Sequence, residues 1–495
     1  MPPDEFLRWI QRAADWSAEY LDGVEGYPVL SRVTPGELFD ALPPSPPSRP
    51  ESMEAIFRDL DALVMPAVTH WNHPGFHGYF AVTGSGPGII GELLSATLNI
   101  NAMVWKSSPA GTELEALVLQ WALQLLGLPD HWFGVIQDTA STSSLVGLAA
   151  ARHRAYPEAR EVGIFGLPPG RIYTSVEAHS SIEKAALTLG FGRSGVVKVP
   201  VDDTFRMRPD ALRRAIAADL EAGVRPVAIV ATLGTTSTTS MDPIAEIAEI
   251  AAEYGVWLHV DAAYAGSAAI LPELRPWFAG WERADSLLFN PHKWLFTPVD
   301  CSVLYSPHPE IIRDAFSLVP EYLRTAEGDE VVNLMDYGVA LGRRFRGLKL
   351  WFVLRYFGAE GLEARIREHI EMAREFADRI EATEGWELAA PVPFATVVFR
   401  RSSEAGTGAG SGLGSGTGLG SGLGSGTDGE ALDRHNLAIM DRVNASGDSF
   451  LSHTRVAGRV ALRLSVGNLR TRREHLERCW GQLQRAARED LPETP

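Results

Sequence analysis

Lys293 stands between His292 and Trp294 in the stretch FNPHKWLF, residues 289–296. The chain holds 45 basic residues, of which only five are lysines: Lys106, Lys184, Lys198, Lys293 and Lys349. A sequence that otherwise writes arginine for a solvated positive charge keeps this lysine for something a guanidinium cannot do. An amine can lose its proton and attack a carbonyl, whereas arginine stays charged. Other capable side chains also follow short apolar runs: Asp261 comes after VWLHV, His179 after RIYTS within VEAHSSIEKA, and Thr232 after PVAIVA. In VIQDTASTSSLVGLAAAR, such a run passes through Thr139 and Ser141 into a helical pattern, which is how a helix N-terminus receives a phosphate. Amine, carboxylate, imidazole and phosphate cradle together fit pyridoxal phosphate. The amine forms a Schiff base with the aldehyde, the carboxylate keeps the pyridine nitrogen protonated, and the imidazole stacks on the ring. Taken singly, each has a plainer reading: a snorkelling lysine, a helix cap, a capped strand end, ordinary turn residues. Their order along the chain is what sets them apart.

Convergence of these side chains requires a particular scaffold. From about residue 133, FGVI, RIYTSV, GVVKV, PVAIVAT, VWLHV, DSLLFN and CSVLY read as seven strands, most separated by amphipathic helical segments such as SSIEKAALTLG and DPIAEIAEIAAEYG. The alternation predicts an α/β fold, a largely parallel sheet covered by helices on both faces, with ligands at the carboxyl ends of the strands. Residues 1–85 read as a helical arm too thin to bury its own apolar stripe, broken by PPSPPSRP. The large α/β domain is expected over 86–360, and a small α+β domain over 361–495 that contains FATVVFRR, VALRLSVGN and a final amphipathic helix. Within it, residues 404–430 carry glycine at every second position from 406 to 426 and read as a flexible insertion without chemistry; no Gly-Lys-Ser/Thr follows to make a phosphate loop.

Composition narrows the function classes. Sixty-two acidic against 45 basic residues give a formal charge of −17, and no Lys/Arg cluster offers a phosphate-tracking stripe, so the expected partner is a small molecule and not nucleic acid. No apolar run approaches the roughly 18 residues of a membrane span, and acids stand at the N-terminus where a signal peptide needs positive charge. With only Cys301 and Cys479, there is no disulfide framework, which points to a reducing cytoplasm. His70, His73 and His77 in THWNHPGFHG lack regular spacing and a nearby carboxylate or thiol, so no metal is assigned.

GVIQDTAS, EAHSSIEKA, ATLGTTSTTSMDPI, WLHVDAAYAGSA, LLFNPHKWLFTPVDCSV and GRRFRGLKLWFVLR resemble the pyridoxal-phosphate-dependent (group II) decarboxylases of the aromatic-L-amino-acid type. The resemblance covers most of the chain and is interrupted chiefly by the glycine-rich insertion. It implies a fold-type I, aspartate-aminotransferase-like enzyme and a carbon–carbon lyase, releasing an arylalkylamine and carbon dioxide. It makes Lys293 the Schiff-base lysine, Asp261 the partner of the pyridine nitrogen and His179 the ring-stacking, substrate-side histidine. Thr232 and Ala263 would contact the ring, while Ala140, Ser141, Asn290 and His292 would hold or flank the phosphate. Tyr322, in PEYLRTAEGDE, matches a loop tyrosine that protonates the substrate carbon, and its Pro, Gly and acidic neighbours read as a surface lid.

The resemblance further implies a homodimer with shared active sites, the N-terminal arm clasping the partner. HPGFHGYF and MVWKSSPAGTELE match segments that line the side-chain site, which nominates Trp71, Tyr79, Phe80, Val82 and Trp105 as substrate contacts. At the position of Gly342, relatives vary with phenolic or indolic preference, and glycine favours tryptophan or 5-hydroxytryptophan over phenylalanine, tyrosine and dihydroxyphenylalanine. An aldehyde synthase, which couples decarboxylation to oxidative deamination, and a decarboxylase of a non-aromatic amino acid are the alternatives. Two departures stand out: Ala81-Val82-Thr83 displaces the usual threonine by one, and Asp138 replaces a usual glycine beside the proposed phosphate cradle.

Overall fold

Each of the seven β-branched runs forms a strand: β1 (Phe133–Gln137), β2 (Gly170–Ser175), β3 (Val196–Val199), β4 (Arg225–Thr232), β5 (Trp257–Asp261), β6 (Ser286–Phe289) and β7 (Ser302–Ser306). The structure is a computed structural model that describes residues 1–80, 82–318, 331–402 and 426–489. The strands lie in the order β1-β7-β6-β5-β4-β2-β3. Strands β2 through β6 pair in parallel, while β7 runs antiparallel to both β6 and β1. Every residue of β5, β6 and β7 is buried, as expected of central strands covered on both faces.

The helix Ala140–Ala155 crosses this sheet at close range. A Cβ placed on Gly147 would lie 2.8 Å from Nδ1 of His259 in β5, so glycine is needed for the helix to sit against the strand. Buried charge is paired nearby: Arg343 donates from Nη2 to Glu115 Oε1 at 2.8 Å and to the Ile136 carbonyl at 2.6 Å, with both side chains almost wholly buried. Glu115 Oε1 also accepts the Ile136 N–H at 2.8 Å, so the pair clasps β1. Glu115→Ala leaves a buried guanidinium uncompensated and is expected to lower stability by about 3–5 kcal/mol. Urea unfolding checks this, and a loss under about 1 kcal/mol would contradict it.

The sheet and its helices belong to one compact unit, Val82–Arg374 with Ala390–Val397. The other comprises Met1–Ala81, Glu375–Ala389 and Val398–Pro495, so the N-terminal arm clusters with C-terminal segments. Backbone bonds are among those that link them: Val29 N–H donates to the Gly447 carbonyl (2.7 Å), His77 N–H to Phe450 (2.9 Å) and Ser465 N–H to His77 (2.9 Å). A four-stranded sheet in the order β10-β11-β9-β8 is formed by β8 (Trp386–Leu388), β9 (Thr396–Arg401), β10 (Ser452–Val456) and β11 (Arg459–Ser465). The helix expected from about 360 begins earlier, spanning Arg346–Glu381 with a break at Gly358, where φ is +62°. Of the glycine-rich stretch, residues 404–425 lie outside the described residues, and the helix Gly426–Ser446 takes in its last five. Among the described residues no helix is long and apolar enough to cross a membrane.

Candidate active site

Parallel pairing carries the carboxyl ends of β2, β4, β5 and β6 to one edge of the sheet, and β1, reversed twice across β7, ends there too. Asp261 closes β5 and pairs in register with Thr232, the last residue of β4. Asp261 is 5% exposed; its Oδ1 accepts the Ala263 N–H at 3.0 Å, and its carbonyl accepts the Leu233 N–H at 2.8 Å. Ala263 is tied again by its carbonyl, which takes the Asn290 N–H at 3.2 Å. The segment after β5 is thereby fixed to the segment after β6.

Lys293 sits half-buried on the short helical turn Pro291–Trp294 that follows β6, its N–H donating to the Asn290 carbonyl at 3.0 Å. Trp294 anchors that turn. Its ring stacks on Tyr264 with centroids 4.8 Å apart, and its Nε1 donates to His369 Nδ1 at 3.0 Å. His292, on the same turn, accepts the Cys301 N–H at Nδ1 (2.9 Å), so its neutral ring carries the proton on Nε2. Burial, with the Lys293 charge adding, pushes the His292 pKa down to about 4. His292 is therefore an uncharged donor at neutral pH.

His179 follows β2 and is exposed at the rim. The Ser181 N–H donates to its Nδ1 at 3.1 Å, leaving the proton of the neutral ring on Nε2. Desolvation lowers its pKa, Asp261 opposes that, and Lys293 and Lys184 add to it. The charges of Asp261 and Lys293 thus both act on this imidazole. Ala140 and Ser141 open the helix Ala140–Ala155 directly after β1, with Thr139 in extended conformation at its N-cap. Asp138 turns its Oδ1 onto its own neighbour, accepting the Thr139 N–H at 2.5 Å and the Thr139 hydroxyl at 3.3 Å. The departure at Asp138 therefore occupies donors of Thr139 at the head of the cradle.

The substrate-side candidates fall in two groups. Trp71 stacks on Phe76 (4.3 Å) and Tyr79 (5.9 Å), and Phe80 lies buried beneath the Arg463 guanidinium, 4.4 Å from its ring centroid. These three belong to the unit containing the N-terminal arm, whereas Val82, Trp105 and Gly342 belong to the unit of the large sheet. Trp105 is held by its Nε1 donating to Glu113 at 2.9 Å. A Cβ on Gly342 would meet only Asn101 Nδ2, at 3.8 Å. Tyr322 lies outside the described residues. The amides of Cys301 and Ser181, which set the tautomers of the two histidines, carry no signal in the sequence because any residue supplies an N–H.

A largely parallel seven-stranded sheet with its functional side chains along the carboxyl edge defines a fold-type I enzyme. Residues 35–402 match the pyridoxal-dependent decarboxylase conserved domain, and the chain belongs to that family. It is 38% identical to a phenylacetaldehyde synthase of Arabidopsis thaliana over 98% of this chain and 96% of that one. The crystal structure of Oryza sativa TDC with PLP and tryptamine superposes with a TM-score of 0.91, at 36% identity and covering 98% of each chain. That of Catharanthus roseus tryptophan decarboxylase in complex with L-tryptophan has a TM-score of 0.89, again at 36% identity and 98% coverage of each chain. The family's cofactor is pyridoxal phosphate.

The rim fits that cofactor. Thr232 Oγ1, Asn290 Oδ1 and Ser175 Oγ, at or just after the ends of β4, β6 and β2, are buried without a hydrogen-bond partner among the described residues. Buried polar atoms of this kind cost stability unless a ligand or water satisfies them. A polar group lying across the strand ends would supply the missing partners.

Proposed function

We propose that the chain decarboxylates aromatic L-amino acids, among them tryptophan or 5-hydroxytryptophan, phenylalanine, tyrosine and dihydroxyphenylalanine, to the arylalkylamine and carbon dioxide. The observation that carries this reading is the gathering of Lys293, Asp261 and His179 at the carboxyl edge of the sheet in a family of decarboxylases. Bound pyridoxal phosphate supplies an aldehyde that condenses with amines and a protonated ring that accepts the electron pair released with carbon dioxide. Lys293 offers the amine that tethers it, and Asp261 offers a fixed carboxylate to the pyridine nitrogen. His179 would stack on the ring on the substrate side. Thr232 and Ala263 would contact the ring. Ala140, Ser141, Asn290 and the Nε2–H of His292 hold or flank the phosphate at the helix N-terminus. Tyr322 gives its hydroxyl proton to the substrate Cα after carbon dioxide leaves.

Trp71, Tyr79, Phe80, Val82 and Trp105 are the contacts this reading assigns to the aromatic side chain, and the open space at Gly342 is suited to an indole. Gly342→Ser is expected to shift the ratio of kcat/KM for tryptophan over tyrosine downward by about tenfold, as a small steric change in an apolar pocket does. An unmoved ratio would remove Gly342 from the substrate site. The working unit is a homodimer with shared active sites. Ile90, Leu93, Leu94 and Leu98 leave an apolar stripe exposed on the helix Gly86–Leu98, a surface suited to a second copy of the chain. Both cysteines are free and buried, which supports a cytoplasmic setting.

An aldehyde synthase is the second reading, favoured by the similarity to the Arabidopsis enzyme. The two separate when the purified protein is incubated with pyridoxal phosphate and each aromatic L-amino acid, with glutamate alongside. Amine without hydrogen peroxide supports decarboxylation, aldehyde with peroxide supports the second reading, and turnover of glutamate alone overturns both.

A further inference from the structure

Asp242 follows the loop 233–241 after β4 and is 2% exposed. Its Oδ2 accepts the Thr232 N–H at 2.8 Å, and its Oδ1 accepts the Met207 N–H at 2.7 Å. Its own N–H donates to the Thr232 carbonyl at 3.0 Å. One residue therefore grips Thr232 on both sides, beside its pairing with Asp261 in β5. Asp242 also lines a cavity of about 500 Å³ with Thr204, Arg206, Trp277, Pro391 and Pro393, so solvent protons can approach from that side.

We infer that Asp242 is a positioning residue for the cofactor site, its carboxylate holding Thr232 more tightly when ionised. The inference rests on the reading of Thr232 as a cofactor contact. An ionised carboxylate offers charged lone pairs to both N–H groups, whereas in the protonated acid the hydroxyl oxygen is a much weaker acceptor, so one of the two bonds is weakened. Burial pushes the Asp242 pKa up to about 7; the Thr232 and Met207 N–H groups oppose that, and the charges of Asp202 and Glu177 add to it. Arg206, whose Nε is 2.9 Å from Asp202 Oδ2, and Glu246 are the other charged groups on the cavity. Above neutrality Thr232 is held firmly at both its N–H and its carbonyl. Below it, the carboxyl is protonated and the grip is weaker.

The test is the dissociation constant of pyridoxal phosphate, from absorbance titration, for wild type and Asp242→Asn between pH 6 and pH 8. Asparagine presents an N–H to one of the two donors and so mimics the protonated acid. The variant is expected to bind about tenfold more weakly than wild type at pH 8, with the ratio approaching one at pH 6, the energy of one such bond. Using the ratio cancels the titration of the cofactor itself. A ratio constant across the range, or near one throughout, overturns the inference.

Hydrogen exchange at the Thr232 amide in the wild-type apoprotein gives a second readout that needs neither the variant nor the cofactor. Its protection, corrected for the intrinsic rate, is expected to be about tenfold greater at pH 8 than at pH 6, and equal protection overturns the inference. Retention of cofactor absorbance in Lys293→Arg would overturn the cofactor placement instead, and the amide measurement would still decide the role of Asp242.

Discussion

Lys293→Arg is expected to abolish the cofactor absorbance of the purified protein and to lower decarboxylation by more than about 10³-fold, the scale on which a lost covalent group is felt. The substitution keeps the charge and most of the stem but removes an amine able to lose a proton and form a carbon–nitrogen double bond with an aldehyde. Lys293 rides on a turn stacked through Trp294 on Tyr264 and held by His369, and Trp294 and Tyr264 are almost fully buried, so the turn should survive the change. A circular dichroism spectrum like that of wild type would show that the loss is chemical. A Lys293→Arg protein that kept its absorbance and turnover would sink the assignment.

Tyr322→Phe should change the product. With the hydroxyl gone, protonation of the substrate Cα is expected to slow by about 10²-fold, the contribution of a positioned general acid, and molecular oxygen then competes for the same carbon. Amine should fall while aldehyde, ammonia and hydrogen peroxide rise together, read by mass spectrometry and a peroxide assay. Unchanged amine output would remove Tyr322 from the proton-transfer step.

The rim was legible in the sequence because its parts are local. Each candidate side chain sits at or just past the end of a β-branched run, and the switch from period-two apolar runs to helical spacing marks where the runs stop. Thr232, Asp261, Lys293 and His179 could be placed on one edge as soon as the sheet was read as parallel. The single reversed strand escaped that reading: CSVLY looks like any other buried strand, and nothing in its composition states that β7 runs against β6 and β1. The short strands Trp386–Leu388 and Ser452–Val456 were missed for a related reason, since three to five half-buried residues carry too little pattern to stand out. Also illegible were partners distant in the chain. Glu115 and Arg343 are unremarkable in their own segments, and Asp242 reads as a helix-start residue before Pro243; only the fold brings Glu115 onto Arg343, or Met207 onto the carboxylate of Asp242. The reach of the N-terminal arm has the same character, because the bonds from Val29 and His77 join residues near opposite ends of the chain.

The reversal of β7 has a consequence for the order of assembly. Strands β6 and β7 form a hairpin, pairing Leu287 with Tyr305 and Phe289 with Val303 across a short span of chain that contains Lys293. The helix Ala140–Ala155 meets that hairpin directly, with Ser143 Oγ 2.8 Å from Ser302 Oγ, but it and β1, whose Gln137 pairs with Ser302, are joined to the hairpin across a long stretch of sequence. Closing a short loop costs less chain entropy than closing a long one, and contacts of low sequence separation form sooner. The lysine's turn is thus able to take shape as a local unit, while the cradle for the phosphate arrives with the distant β1. Pulse-labelled hydrogen exchange during refolding would see the amides of 287–305 protected before those of 133–137.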